Sequence, residues 1–207
     1  MLTFTEEEFE KYQNRIAGER REAQLRHSRQ GAMSRAQGAQ FEQAIAGACD
    51  IYREKGMADI EKTPEPMRPI KSLGGGRFIA FFEKQAQPDY KGTLVGGQAV
   101  VFEAKTTSTD RITQDRVTGE QAERLERCYQ MGGAAFVLCQ FASGQVYKLP
   151  WWAWRHMAEI FGHKYITEEE ATQYRCRLTP RGEPLFLERE EDIQWRKNHR
   201  ARSVSAG

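Results

Sequence analysis

The stretch that decides the fold is "QPDYKGTLVGGQAVVFEAKTT", residues 87–107. Two runs with strand propensity flank Gly96 and Gly97, and a glycine pair between such runs reads as a β-hairpin. Asp89 opens the first run, while Glu103 and Lys105 stand near the end of the second. Side chains alternate across a strand, so Glu103 and Lys105 share one face and Ala104 points to the other. A turn at the two glycines sets Asp89 roughly opposite Ala104, next to Glu103 if the register allows. Two carboxylates held together repel unless a cation lies between them. Hard oxygen ligands with open positions suit Mg²⁺ or Mn²⁺, and a lysine one side chain away can stabilise charge developing on a phosphate. The plainer alternative is an exposed strand end carrying an i, i+2 ion pair.

Upstream of the hairpin, residues 5 to about 30 read as a charged, helix-prone arm with a thin apolar stripe, and Thr5 has capping-box spacing to Glu8. Residues 37–55 are a stronger helix, with Phe41, Ile45, Ala48, Cys49 and Tyr52 on one face, Glu42 at its edge and Gly56 as its stop. A strand near 57–62 follows, then a loop opened by Pro64 and Pro66 and a second strand at "RFIAFFE". Residues 63–77 form a Gly-rich, basic, unpaired excursion longer than a turn needs, carrying Arg68, Lys71 and Arg77.

Downstream, "RVTGEQAERLERCYQMGG" is a helix with Thr118 as candidate N-cap, Gln121 three residues on, and Gly132 and Gly133 at its end. "AAFVLCQF" reads as a strand buried on both faces. "GQVYKLP" is a further strand leading into the aromatic helix "WWAWRHMAEIF". The order of elements predicts an α/β domain with a mixed β-sheet core flanked by helices. Residues 1–34 form the arm, 35–187 the core and 188–207 a basic tail.

Composition sets bounds on function. At 207 residues, with 39% hydrophobic and 29% charged, the chain is polar but long enough to bury a core. A net charge of +2 does not dictate a polyanionic partner, so any nucleic-acid surface must rest on local patches. No apolar run approaches the roughly 18 residues of a membrane span, and the N-terminus has no signal-peptide pattern, so a cytoplasmic protein is expected. Cys49, Cys128, Cys139 and Cys176 lack metal-type spacing and read as reduced thiols.

Pro88 and Asp89, followed by Glu103, Ala104 and Lys105, resemble the PD-(D/E)xK nuclease motif, with Glu42 as the acid on a preceding helix. The wider chain resembles the RecU family of Holliday junction resolvases over about residues 35 to 155, through "GAQFEQAI", "GMADIEKTPEP", "PDYKG", "FEAKTT" and "GGAAFVLCQF". That resemblance implies a restriction-endonuclease-like core, a homodimer, and Mg²⁺-dependent nicking of opposed strands at four-way DNA junctions. By it, Asp89 and Glu103 are metal ligands, Lys105 stabilises charge, and Gln121 completes the metal site. Gln121 equally suits a capping box with Thr118, and Glu42 equally suits solvent. The sequence departs from the family pattern at Gln87, where a hydroxyl residue is expected, and at Pro88. The excursion at 63–77 lies where the family carries a stalk that enters the junction, so Arg68, Lys71, Arg77 and Lys91 become candidate DNA contacts.

The basic residues of the arm (Arg20, Arg21, Arg26, Arg29) and of the tail (Arg196, Lys197, Arg200, Arg202) could add sequence-independent phosphate contacts. Trp151, Trp152 and Trp154 suit core or dimer packing better than base stacking. His156 and His163 have no partner pattern suggesting a role. The expectation is a metal-dependent, structure-specific DNA endonuclease of recombination and repair. The alternatives are a same-fold nuclease on other DNA substrates and a non-catalytic junction-binding accessory protein.

Overall fold

The helical period of residues 37–55 buries the expected face: Phe41, Ile45, Ala48, Cys49 and Tyr52 all lie in the core. They belong to α1 (Glu6–Glu54), and Gly56, at φ +62°, turns the chain out of it. The computed structural model describes residues 6–64, 67–82 and 87–187. Backbone contacts divide the chain into two units, residues 1–40 and 41–207.

In the first unit the described residues are helical throughout, with Tyr12, Leu25 and Met33 exposed and Arg15 paired with Glu19 one turn away. The sequence suggests two separate helices here, whereas α1 is continuous. Good helix formers and an i, i+4 ion pair hold the turns without an apolar stripe. Thr5 and the basic tail residues lie outside the described residues.

In the second unit the chain runs through β1 (Ala58–Lys62), β2 (Met67–Gly74), β3 (Arg77–Phe82), β4 (Tyr90–Leu94), β5 (Ala99–Thr106) and β6 (Arg111–Thr113). After α2 (Gly119–Gln130) come β7 (Ala134–Gln140), β8 (Val146–Pro150), α3 (Trp151–Arg155) and α4 (Met157–Phe161). The short strands β9 (Tyr165–Thr167), β10 (Arg177–Leu178) and β11 (Pro184–Leu185) complete it. The main sheet has the order β1-β4-β5-β7-β8, antiparallel except where β5 runs parallel to β7. This is the mixed α/β architecture expected, with the buried run at 134–140 well inside the sheet.

One face packs on the Phe41–Tyr52 side of α1, the other on α2, α3 and α4. On the α1 face, Tyr90, Phe102 and Phe136 stack as a row across three strands, with ring centroids 4.6 and 4.7 Å apart. Tyr52 accepts a hydrogen bond from Leu187 N, drawing the end of the described chain over this core. The aromatic helix divides at His156 into α3 and α4. Trp151 and Trp154 are buried as expected, while Trp152 is exposed. All four cysteines are buried and free. No helix among the described residues is long and apolar enough to cross a membrane.

Two expectations need correction. The excursion at 63–77 is not an unpaired loop. Strands β2 and β3 pair with each other as a separate two-stranded hairpin that runs on to Phe82. Its ladder shifts at Pro69, which has no N–H to give, and it turns on three glycines with positive φ. The β4–β5 register also differs by one residue, because residues 95–97 close the turn rather than the two glycines alone. Leu94 N donates to Gln98 O and Gly97 N to Leu94 O, and Tyr90 therefore faces Phe102.

Gly92 marks the tightest approach in the sheet: a Cβ there would lie 2.1 Å from the Asp59 carbonyl oxygen of β1. Main chain cannot retreat as a flexible side chain can, so Gly92→Ala must displace β1. A loss of about 2–3 kcal/mol is expected from urea unfolding, on the scale of overpacked cores.

Candidate functional site

The one-residue change of register brings the acids together more closely than the sequence suggests. β1 and β4 pair Lys62 with Tyr90, and β4 and β5 pair Tyr90 with Phe102. The next step along the ladder sets Asp89 opposite Glu103, and opposed residues show their side chains on the same face. Since Phe102 points to the α1 core, Glu103 points to the α2 side, and Lys105, two residues on, does the same.

There Glu103 is fully buried, with a relative exposure of 0%. Its Oε1 accepts from Asp89 N at 3.3 Å, and its Oε2 accepts from Lys105 Nζ at 3.0 Å and from Gln121 Nε2 at 2.5 Å. Asp89 Oδ2 accepts from Ala104 N at 3.0 Å and lies 3.8 Å from Lys105 Nζ. Gln121 Oε1 lies 3.4 Å from the same ammonium. One lysine thus faces two carboxylates and an amide.

Gln121 forms the capping box and also touches Glu103. It completes a capping box, donating its N–H to Thr118 Oγ1 and accepting from Thr118 N, while its amide nitrogen reaches Glu103. The cap fixes the rotamer that delivers the side chain to the acids.

Burial pushes the Glu103 carboxyl up to about 8, the charge of Asp89 adds to the rise, and Lys105 opposes it. With both carboxyls ionised the pair would carry more negative charge than its single lysine offsets, which together with burial is why Glu103 keeps its proton here, and its donors are hard oxygens. That donor set fits a small divalent cation, which Asp89, Glu103 and the Gln121 amide oxygen would hold. Among the described residues no group of three or more His, Cys, Asp or Glu gathers as a metal cluster. Such a site would rest on two carboxylates, one amide and water.

The other candidates lie around this centre. Glu42 pairs with Lys62 Nζ at 2.7 Å and makes no hydrogen bond to Asp89, Glu103 or Lys105 among the described residues. Lys62 lies on the α1 face, across the sheet from the acids. Lys91 shares the face of Asp89 two residues away and is exposed, with Gln87 Oε1 at 3.5 Å. Arg68, Lys71 and Arg77 are exposed on the β2–β3 hairpin, and none of them meets the acids. Thr63, not singled out in the sequence, follows β1 and lies beside Asp89, donating its N–H to Asp89 O at 2.8 Å. Only the register and the burial of its hydroxyl reveal it.

Two acids and a lysine at the end of a β-hairpin, backed by a capped helix, are arranged as the PD-(D/E)xK pattern in the sequence leads one to expect. The chain belongs to the Recombination protein U (RecU) family, whose model matches residues 36–186. A Staphylococcus saprophyticus protein named Holliday junction resolvase RecU is 29% identical over 87% of this chain and 98% of its own. A Streptococcus pneumoniae protein of the same name is 28% identical over 67% of this chain and 72% of its own. Among solved structures, Archaeoglobus fulgidus Hjc, a Holliday junction resolvase, aligns at a TM-score of 0.38 and 14% identity. That alignment covers 66% of this chain and 88% of Hjc.

The raised Glu103 carboxyl makes stability depend on pH. Unfolding returns it to its ordinary value of 4.5, so between pH 4.5 and about 8 the native state holds a proton that the unfolded chain releases. Its contribution to stability is complete below 4.5 and is lost as the pH rises through about 8. Urea midpoints in chelator are expected to fall across this window, and Glu103→Gln to flatten the fall.

Proposed function

We propose that this chain is a metal-dependent DNA endonuclease that resolves Holliday junctions by paired symmetric nicks, acting as a homodimer in recombination and repair. The observation that carries the reading is the face shared by Asp89, Glu103 and Lys105, with Glu103 buried and its carboxyl raised. Relatives whose sequences match most of the chain bear the name of such a resolvase.

When bound, a divalent cation (Mg²⁺, with Mn²⁺ as a substitute) would supply Lewis-acid polarisation of the scissile phosphate. The chain's own residues do the rest. Asp89 and Glu103 present the carboxylate oxygens, and Ala104 N fixes the Asp89 carboxylate in place. Lys105, held by Glu103 and Gln121, directs its ammonium at a non-bridging oxygen and stabilises the charge that develops during in-line attack. Gln121 is anchored by the Thr118 cap, so it reaches the site without extra ordering. Glu42 stands aside, paired with Lys62, where it tunes the charge at the strand end.

Two equivalent sites in a symmetric dimer match the two equivalent strands of a four-way junction. Arg68, Lys71 and Arg77 on the exposed hairpin, with Lys91 beside the acids, would supply phosphate contacts. The reaction is expected in the cytoplasm, where recombining DNA lies.

A gel assay on a four-way junction and a matched linear duplex tests the activity. With Mg²⁺, wild type should nick opposed strands of the junction, and chelator should stop it. Asp89→Asn should lower nicking by about 10³-fold or more while leaving junction binding intact. Binding without any nicking in wild type would favour an accessory protein, and equal cutting of duplex and junction a nuclease of other specificity. The hairpin is tested separately. Replacing Arg68, Lys71 and Arg77 by alanine should weaken junction binding and flatten its salt dependence by roughly one unit of slope per residue.

A further inference from the structure

Among the described residues, two buried side-chain polar atoms have no hydrogen-bond partner: Thr63 Oγ1 and Tyr90 Oη. They lie on opposite faces of the sheet. Tyr90 belongs to the aromatic row on the α1 side. Thr63 follows Lys62, whose face is that of α1, and so turns its side chain to the α2 side. The Thr63 N–H bond to Asp89 O carries the β1–β4 register one step past Lys62 and Tyr90. Thr63 just past β1, Asp89 just before β4 and Glu103 in β5 therefore continue the ladder as one row on the face of the candidate cation site.

Thr63 is 9% exposed, and its hydroxyl is shut off from solvent. An orphaned buried hydroxyl costs the fold free energy that an isosteric valine would spare. It is also a hard oxygen, with one proton to donate and lone pairs to accept. A small divalent cation keeps several of its waters, and groups that orient those waters tune its affinity.

We propose that Thr63 is a positioning residue for the cation site, its hydroxyl holding a water of the cation's hydration shell on the β1 side of Asp89. The inference rests on the metal-dependent reading above and adds to it a residue outside the acid–acid–lysine motif. It explains why a hydroxyl stands at a buried position where the polypeptide alone gives it no partner.

The test measures Mn²⁺ affinity directly, by electron paramagnetic resonance of free Mn²⁺, on the full chain. Wild type, Asp89→Asn, Thr63→Val, Thr63→Ala and Thr63→Ser are compared, and Tm is recorded in chelator. Thr63→Val and Thr63→Ala should weaken Mn²⁺ binding by about tenfold or more, the usual scale for loss of an outer partner. Thr63→Ser should stay within about twofold of wild type. In chelator, Thr63→Val should melt at or above the wild-type Tm, which a residue with a merely structural role would not do. Junction binding in chelator should be unchanged in all three Thr63 variants.

The proposal is overturned if valine and alanine keep wild-type Mn²⁺ affinity, or if serine loses as much as they do. Wild type that takes up no Mn²⁺, or Asp89→Asn that binds it as wild type does, would instead remove the cation site and this inference with it.

Discussion

Strand register is the constraint on which the rest of this structure depends. Tyr90, Phe102 and Phe136 stack across β4, β5 and β7, and those rings can meet only in one alignment of the three strands. A slip of one residue would carry every side chain to the opposite face. It would bury Lys105 in the α1 core and turn Phe102 toward α2. The row of rings on one face therefore fixes the row of acids on the other, so packing and chemistry share a single geometric decision.

Burial then does for Glu103 what position alone cannot. An acid at an exposed strand end would be an ordinary carboxylate in water. Under α2, with no exposure, it becomes one whose charge is costly until a cation or Lys105 answers it. Gln121 joins local to tertiary order here, since the bond that starts a helix also aims an amide at a buried acid.

Much of this was legible in the sequence, for reasons that differ by element. The apolar period at Phe41, Ile45, Ala48, Cys49 and Tyr52 names a buried helix face, and each of these residues is buried. The hairpin at 90–106 is legible because glycines punctuate two strand-forming runs. Its exact register is not legible, because a two-residue and a three-residue turn look alike around Gly96 and Gly97. The β2–β3 pairing was not legible: with every β2 residue exposed, no alternation of buried and exposed positions announces a strand, and Pro69 argues against one. Strands of three residues, β6 and β9, are too short to carry a period. The acids and lysine were legible as residue types, whereas the complete burial of Glu103 and the orphaned hydroxyl of Thr63 exist only once the sheet is assembled.

The β2–β3 hairpin is tied to the rest of the chain by its ends rather than by a shared core. Met67, Ile70, Leu73, Phe78, Ile79 and Phe81 are all exposed, so substitutions among them leave the stacked rings and the acids untouched. Mutational drift can therefore explore that surface freely, while the face of the two acids stays under the full burden of core packing. A lineage of such proteins could rewrite the surface of a sixteen-residue segment, 67–82, without relearning how to fold.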